Sequence, residues 1–167
     1  YGKDAFDYIQ QTHQMAFTDS LTELGNRNAY ETSCVRMAHD FDSVRSLCLI
    51  LFDLNGMKRV NDTWGHLAGD RLLRDFASLL RETMPPTAKL YRYGGDEFLL
   101  LFPRIPKATF QLRLEQICKA VSAVSVPDYP ELRLSVTVGG AYGVKPLDEA
   151  IRQADRQMYR RKAQRAQ

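Results

Sequence analysis

The chain has 167 residues, of which 44% are hydrophobic and 26% charged; that suits one domain with its own core and excludes a disordered or fibrous chain. The net charge of +3 is compatible with an anionic ligand but falls well short of a nucleic-acid-binding surface. Cys34, Cys48 and Cys118 are odd in number and sit in apolar segments, which excludes a disulfide framework or zinc site and predicts small buried hydrophobes in a reducing compartment.

In chain order, Asp4 to Phe17 carries Ala5, Phe6, Ile9, Met15 and Ala16 at loosely helical spacing, and reads as a short helix leading into the domain. Thr18 to Thr22 reads as a turn, followed by a helix from about Arg27 to Phe41. Leu47 to Phe52 is a continuous apolar run ended by Asp53, as expected of a strand buried on both faces. Gly56 to Asn61 allows one or two helical turns. Ala68 to Thr83 is a longer helix, with Leu72, Leu73, Phe76, Leu79 and Leu80 on one stripe, stopped by Pro85-Pro86.

Lys89 to Tyr93 and Glu97 to Phe102 flank Gly94-Gly95, a hairpin signal in which the glycines permit positive φ and leave the turn open to a ligand. Thr109 to Val124 reads as a helix, Arg133 to Gly140 as a strand, and Leu147 to Lys162 as a closing helix. The order β-α-β-β-α-β-α predicts an α+β fold of ferredoxin-like or palm type, with a mainly antiparallel central sheet backed by helices. No run is long enough to span a bilayer and no signal peptide is visible, so the expected setting is the cytosol, without membrane or nucleic-acid contact by this domain. The chain opens at Tyr1 without a Met, so it is expected to come from a longer, perhaps membrane-anchored, protein. Residues 1–17 are its linker helix and 18–167 the domain.

Two acidic sites fall where strands end: Asp53, and Asp96 with Glu97 in the hairpin. If the strands are neighbours, these carboxylates converge and repel unless a cation neutralises them. Oxygen-only ligands of this kind suit Mg²⁺. An isolated Gly-Gly-Asp more often marks a solvated turn, and Lys58 alone would be a solvated helix lysine. The segment Asp53 to Asp62, however, passes from a strand into a short helix whose first N–H groups are unpaired, a place for phosphates within reach of Lys58.

The run Arg92-Tyr93-Gly94-Gly95-Asp96-Glu97-Phe98 resembles the signature of the GGDEF family of bacterial diguanylate cyclases. So do Thr18 to Arg27, Asn61 to Asp70 and Ala154 to Tyr159, in the family's order and spacing. The resemblance implies condensation of two GTP into cyclic di-GMP, a bacterial second messenger, with release of two pyrophosphates. It implies Asp53, Asp96 and the main-chain carbonyl of Leu54 as ligands of Mg²⁺, with Mn²⁺ as a substitute. Asp96 and Glu97 would be catalytic. Gly56, Met57, Lys58, Lys162, Gly94 and Gly95 would hold the triphosphate end, and His66 would contact substrate. Asn61 and Asp70 would read guanine, whose N1–H and N2–H₂ donors match an amide oxygen and a carboxylate. Each domain would bind one GTP, so the active state would be a homodimer controlled by an upstream sensory region. Two other readings remain: a silent GGDEF domain that only binds GTP or dimerises, and a cyclase of different base choice.

Four departures stand out. Pro85, Pro86, Thr87 and Ala88 occupy the place of the family's inhibitory Arg-x-x-Asp, which predicts loss of product inhibition through that site. Asn55 replaces a frequent Asp, and Glu23 a frequent Gly. The family's phosphate-contacting Arg after Lys162 aligns with Ala166, with Arg165 one residue early and Arg161 the other potential substitute.

Overall fold

The computed structural model describes residues 2–39, 47–126 and 128–166. The helices are α1 (Gly2–Phe17), α2 (Arg27–Ala38), α3 (Met57–Trp64), α4 (His66–Thr83), α5 (Lys107–Ser122) and α6 (Leu147–Ala166). The strands are β1 (Cys48–Leu54), β2 (Lys89–Arg92), β3 (Glu97–Phe102) and β4 (Val136–Tyr142). The strands form one sheet in the order β2-β3-β1-β4, with every neighbouring pair antiparallel. β3 is therefore inserted between β1 and β2, the split βαβ arrangement of ferredoxin-like folds. The predicted fold class is observed.

Pleating divides the apolar strand residues between two layers. Ile50, Phe52, Phe98 and Leu100 join Phe76, Leu72 and Ile117 of α4 and α5 on one face. Leu49, Leu51, Leu99 and Leu101 join Tyr30 of α2 and Ala150, Ala154 and Met158 of α6 on the other. Helices on both faces explain why β1 is a continuous apolar run rather than an alternating one. Phe76 locks the first layer by edge contacts to Phe52 and Phe98, with centroids 5.5 and 5.0 Å away, each adding about 0.5–1.5 kcal/mol beyond burial.

The opposite layer is set by a glycine. A Cβ at Gly139 would fall 1.9 Å from the Ala154 carbonyl oxygen, so only glycine lets α6 lie this close to β4. The side-chain amide oxygen of Gln157 accepts from the Gly140 N–H at 3.0 Å and fixes the helix along its axis. That placement carries Lys162, two turns further along α6, to the end of β1.

Several expectations are corrected. β1 runs through Asp53 to Leu54, because Asp53 and Leu54 still pair with β4. β4 starts at Val136 rather than Arg133, which takes part only in an isolated bridge with Ser125. Neither Gly94 nor Gly95 has a positive φ; among the described glycines Gly56, Gly65 and Gly143 do. The helix expected to reach Phe41 is observed to Ala38, and its last two expected residues lie outside the described ones. Cys48 is buried and Cys34 half-buried, but Cys118 is exposed on α5. No residue of α1 is buried, so that helix does not pack its apolar positions on its own domain.

Candidate functional site

The sheet register assembles the acidic edge. Asp53 stands opposite Glu97 on β3 and Thr137 on β4, and the Leu54 N–H donates to the Asp96 carbonyl at 2.9 Å. The end of β1 and the hairpin tip are thus joined through their backbones. Asp53 is 6% exposed. Lys162 Nζ donates to its Oδ2, while its Oδ1 is buried without any hydrogen-bond partner.

A buried carboxylate oxygen left without a donor is costly, and a cation supplies what it lacks. Among the described residues no group of three or more His, Cys, Asp or Glu converges on a metal-sized site. A site here therefore needs main-chain and substrate oxygens beside its carboxylates. That is the coordination Mg²⁺ accepts, being commonly held by one or two carboxylates plus substrate phosphates and waters. Asp53, Asp96 and the Leu54 carbonyl fit such an ion.

At the hairpin tip the Glu97 carbonyl accepts from the N–H groups of Tyr93 at 2.8 Å and Gly94 at 3.2 Å. A Cβ on Gly95 would meet nothing within 4 Å, so this glycine keeps the approach to the turn clear without left-handed backbone. The Glu97 carboxyl is pushed above the usual range, first by burial and then by the charges of Asp96 and Asp155, against the opposing pull of Arg27. Crowded acids with raised affinity for protons are also acids with raised affinity for cations.

The hairpin is tied to the N-terminal turn. The Arg92 guanidinium donates to both Asp19 carboxylate oxygens at 3.2 Å and to the Gly95 carbonyl at 2.8 Å. Thr22 donates to Asp19 through its N–H and its hydroxyl. Burial opposes ionisation of Asp19, but these hydrogen bonds and the Arg92 charge outweigh it and hold the carboxyl below its ordinary value. Glu23, in the same turn, sits at φ 63. A left-handed backbone is why glycine suits this position.

Beyond β1 the chain turns at Gly56, with φ 71 and nothing near its missing Cβ, and enters α3 with the exposed Lys58 in its first turn. Asn61 ends against Gly69: a Cβ there would lie 2.0 Å from Asn61 Oδ1. Gly65, at φ 91, makes the corner that folds α4 back on α3. Asn61 and the neighbour of Asp70 therefore touch, which places the two expected guanine readers side by side. Both are partly exposed, and His66 is exposed at the start of α4.

Two contributors were missed from sequence. Asp155 adds its charge to Glu97, and Arg165 reaches the end of β4, donating to Ser135 Oγ at 2.5 Å. The usable signal was helical spacing: Asp155, Lys162 and Arg165 recur at intervals of seven and three, along one side of α6. Lys162, expected among phosphate ligands, is paired with Asp53.

The diguanylate cyclase, GGDEF domain, family model matches residues 16–167. An uncharacterised protein from the hutH 5′ region of Streptomyces griseus is 35% identical over 164 residues, covering 95% of this chain and 67% of that one. Diguanylate cyclase DgcM of Escherichia coli K12 is 32% identical over 155 residues, which are 92% of this chain but 38% of DgcM. Among solved structures, the coiled coil and GGDEF domain of DgcB from Caulobacter crescentus, in complex with c-di-GMP, superposes with a TM-score of 0.87. The two are 29% identical, over 96% of this chain and 88% of that one. With its sheet, its acidic edge and the matched span in agreement, the chain belongs to the GGDEF domain family of diguanylate cyclases.

Proposed function

We propose that this domain is an active diguanylate cyclase, which joins two GTP molecules into cyclic di-GMP and releases two pyrophosphates. One observation carries the reading: the register that sets Asp53 opposite Glu97 leaves Asp53 Oδ1 buried and unpartnered, an arrangement that makes sense around a divalent cation. Mg²⁺ held by Asp53, Asp96 and the Leu54 carbonyl would neutralise triphosphate charge and polarise the attacking 3′-hydroxyl. Asp96, in the exposed turn, accepts the proton of that hydroxyl, and Glu97 holds the turn and shares the cation's field. The Gly56 and Met57 amides with Lys58 receive the phosphates, and Lys162 exchanges its bond to Asp53 for a phosphate oxygen. Asn61 and Asp70 select guanine, because adenine would leave a carboxylate without donors, at about 1–3 kcal/mol or more. The domain's contribution is mostly placement and charge neutralisation.

The 3′-hydroxyl of one GTP attacks the α-phosphorus of a second, so two domains must face one another. The unburied apolar side chains of α1, including Phe6 at 59% and Met15 at 81% exposure, suit pairing with a second α1. Residues 1–17 are then the connector to an upstream region of a longer protein. Among the described residues no helix is long and apolar enough to cross a membrane.

Incubation with GTP and Mg²⁺ followed by detection of pyrophosphate and cyclic di-GMP tests the proposal. Product is expected from the wild-type dimer and not from Asp96→Ala. A dimeric sample that binds GTP and yields no product would instead establish the silent-module reading.

A further inference from the structure

Beside the acidic edge lies an open cavity of about 290 Å³, whose lining includes Asn55, Gly56, Arg59, Arg133, Ser135 and Arg165. Three arginines come from three separate elements: α3, the approach to β4, and α6. One acid, Glu131, lines the same space, so the cavity is strongly positive. Arg165 is held there by neutral groups. It donates to Ser135 Oγ at 2.5 Å, and in the amide orientation that satisfies its neighbours the Asn55 side-chain oxygen accepts from Arg165 Nη1 at 2.5 Å. The Asn55 amide nitrogen then donates to Thr137 Oγ1 at 2.8 Å. Arg133 likewise donates to a main-chain carbonyl, that of Pro130 at 2.6 Å. Neither guanidinium has a carboxylate partner among the described residues. Arg161, by contrast, is committed to the Val138 carbonyl within the sheet.

Guanidinium groups gathered without carboxylates repel one another, and a multiply charged anion relieves the repulsion. The anion's position is given by Gly56, which lines this cavity and also opens the loop at the N-terminus of α3. We propose that Arg165, flanked by Arg59 and Arg133, anchors the terminal phosphates of the nucleotide. It supplies from one position earlier the cation that Ala166 does not. The Asn55–Ser135–Thr137 cluster is the device that aims it, which gives Asn55 a role of its own. This inference rests on the proposed nucleotide site.

Calorimetric titration of the full chain in Mg²⁺ tests it, with a non-hydrolysable GTP analogue and GMP as the two ligands. Arg165→Gln is expected to weaken the triphosphate about ten-fold or more and leave GMP within about two-fold of wild type. Arg165→Lys should recover part of the loss, as a purely structural contact to Ser135 would not. Equal affinity of wild type and Arg165→Gln for the analogue overturns the inference alone, as does a parallel loss for both ligands. Failure of the wild-type chain to bind either nucleotide overturns the nucleotide site itself and this anchor with it.

Discussion

The buried Oδ1 of Asp53 makes the fold sensitive to divalent cations even without nucleotide. A charged acceptor stripped of water and of partners costs about 1–3 kcal/mol, and Lys162 relieves only the other oxygen. A cation at Oδ1 returns that amount. In a domain of this size about 1 kcal/mol moves the melting temperature by roughly 2–4 °C, so saturating Mg²⁺ should raise it by about 2–12 °C. The control is Asp53→Asn. Its neutral amide has no ionic charge to leave unpaired, and Lys162, being 45% exposed, turns to water at about 0–1 kcal/mol. The metal-free variant should therefore melt near the wild type and gain nothing from Mg²⁺. Thermal unfolding of both proteins, with Mg²⁺ or with monovalent salt of equal ionic strength, gives the comparison. A shift of the same size in the two proteins, or none in either, would refute a cation site at Asp53.

Four other outcomes are expected. Gly139→Ala drives a methyl into the Ala154 carbonyl and should cost about 3 kcal/mol; an unchanged melting temperature would mean that α6 is not held at this point. Glu23→Gly relieves a left-handed backbone at φ 63, and after allowing for glycine's looser unfolded state should stabilise by up to about 1 kcal/mol, measured by denaturant midpoint. Asp19 is held below its ordinary value of 3.8, so its contribution to stability is complete above that value and fades as pH falls through the lower folded one. Asp19→Asn should therefore lose stability near neutrality, with the gap to wild type closing in acid; a gap constant with pH contradicts the assignment. Finally, turnover should be insensitive to added cyclic di-GMP acting at residues 85–88, where Pro85, Pro86, Thr87 and Ala88 offer neither charge. Tight noncompetitive inhibition that survives substitution of other surface arginines would place a working brake in this segment.

Much of the architecture was legible because local and long-range preferences agree. The apolar run before Asp53, the Gly94-Gly95 break and the stripe on α4 each specify one element, and their order leaves few topologies. The acidic edge was legible only conditionally. Asp53 and the hairpin meet because β3 inserts beside β1, a pairing that no local pattern dictates. The glycines show the limit most clearly. Sequence suggests left-handed backbone at Gly94 and Gly95, but the structure needs it at Gly56 and Gly65, where strand and helix ends turn sharply. It also shows it at Glu23, where the residue type alone gives no warning. Arg165 was out of reach for a different reason. Helix register offered it and Arg161 as equal candidates, and only the positions of Val138 and Ser135 separate the two.

One glycine links these parts. Because Gly139 has no side chain, α6 settles on β4 with Ala154 over it, and helix geometry then determines where Lys162 and Arg165 arrive. Lys162 arrives at the metal-facing carboxylate, and Arg165 one turn later at the cavity beside Gly56. Both cations are thus set by packing against the sheet rather than by contact with ligand, and their charges stand ready before nucleotide binds. A shift of α6 along its axis would move both together. It follows that Gln157, which ties the helix to the Gly140 N–H, acts on the nucleotide site without touching it, and that Gln157→Ala should weaken triphosphate binding more than it lowers stability.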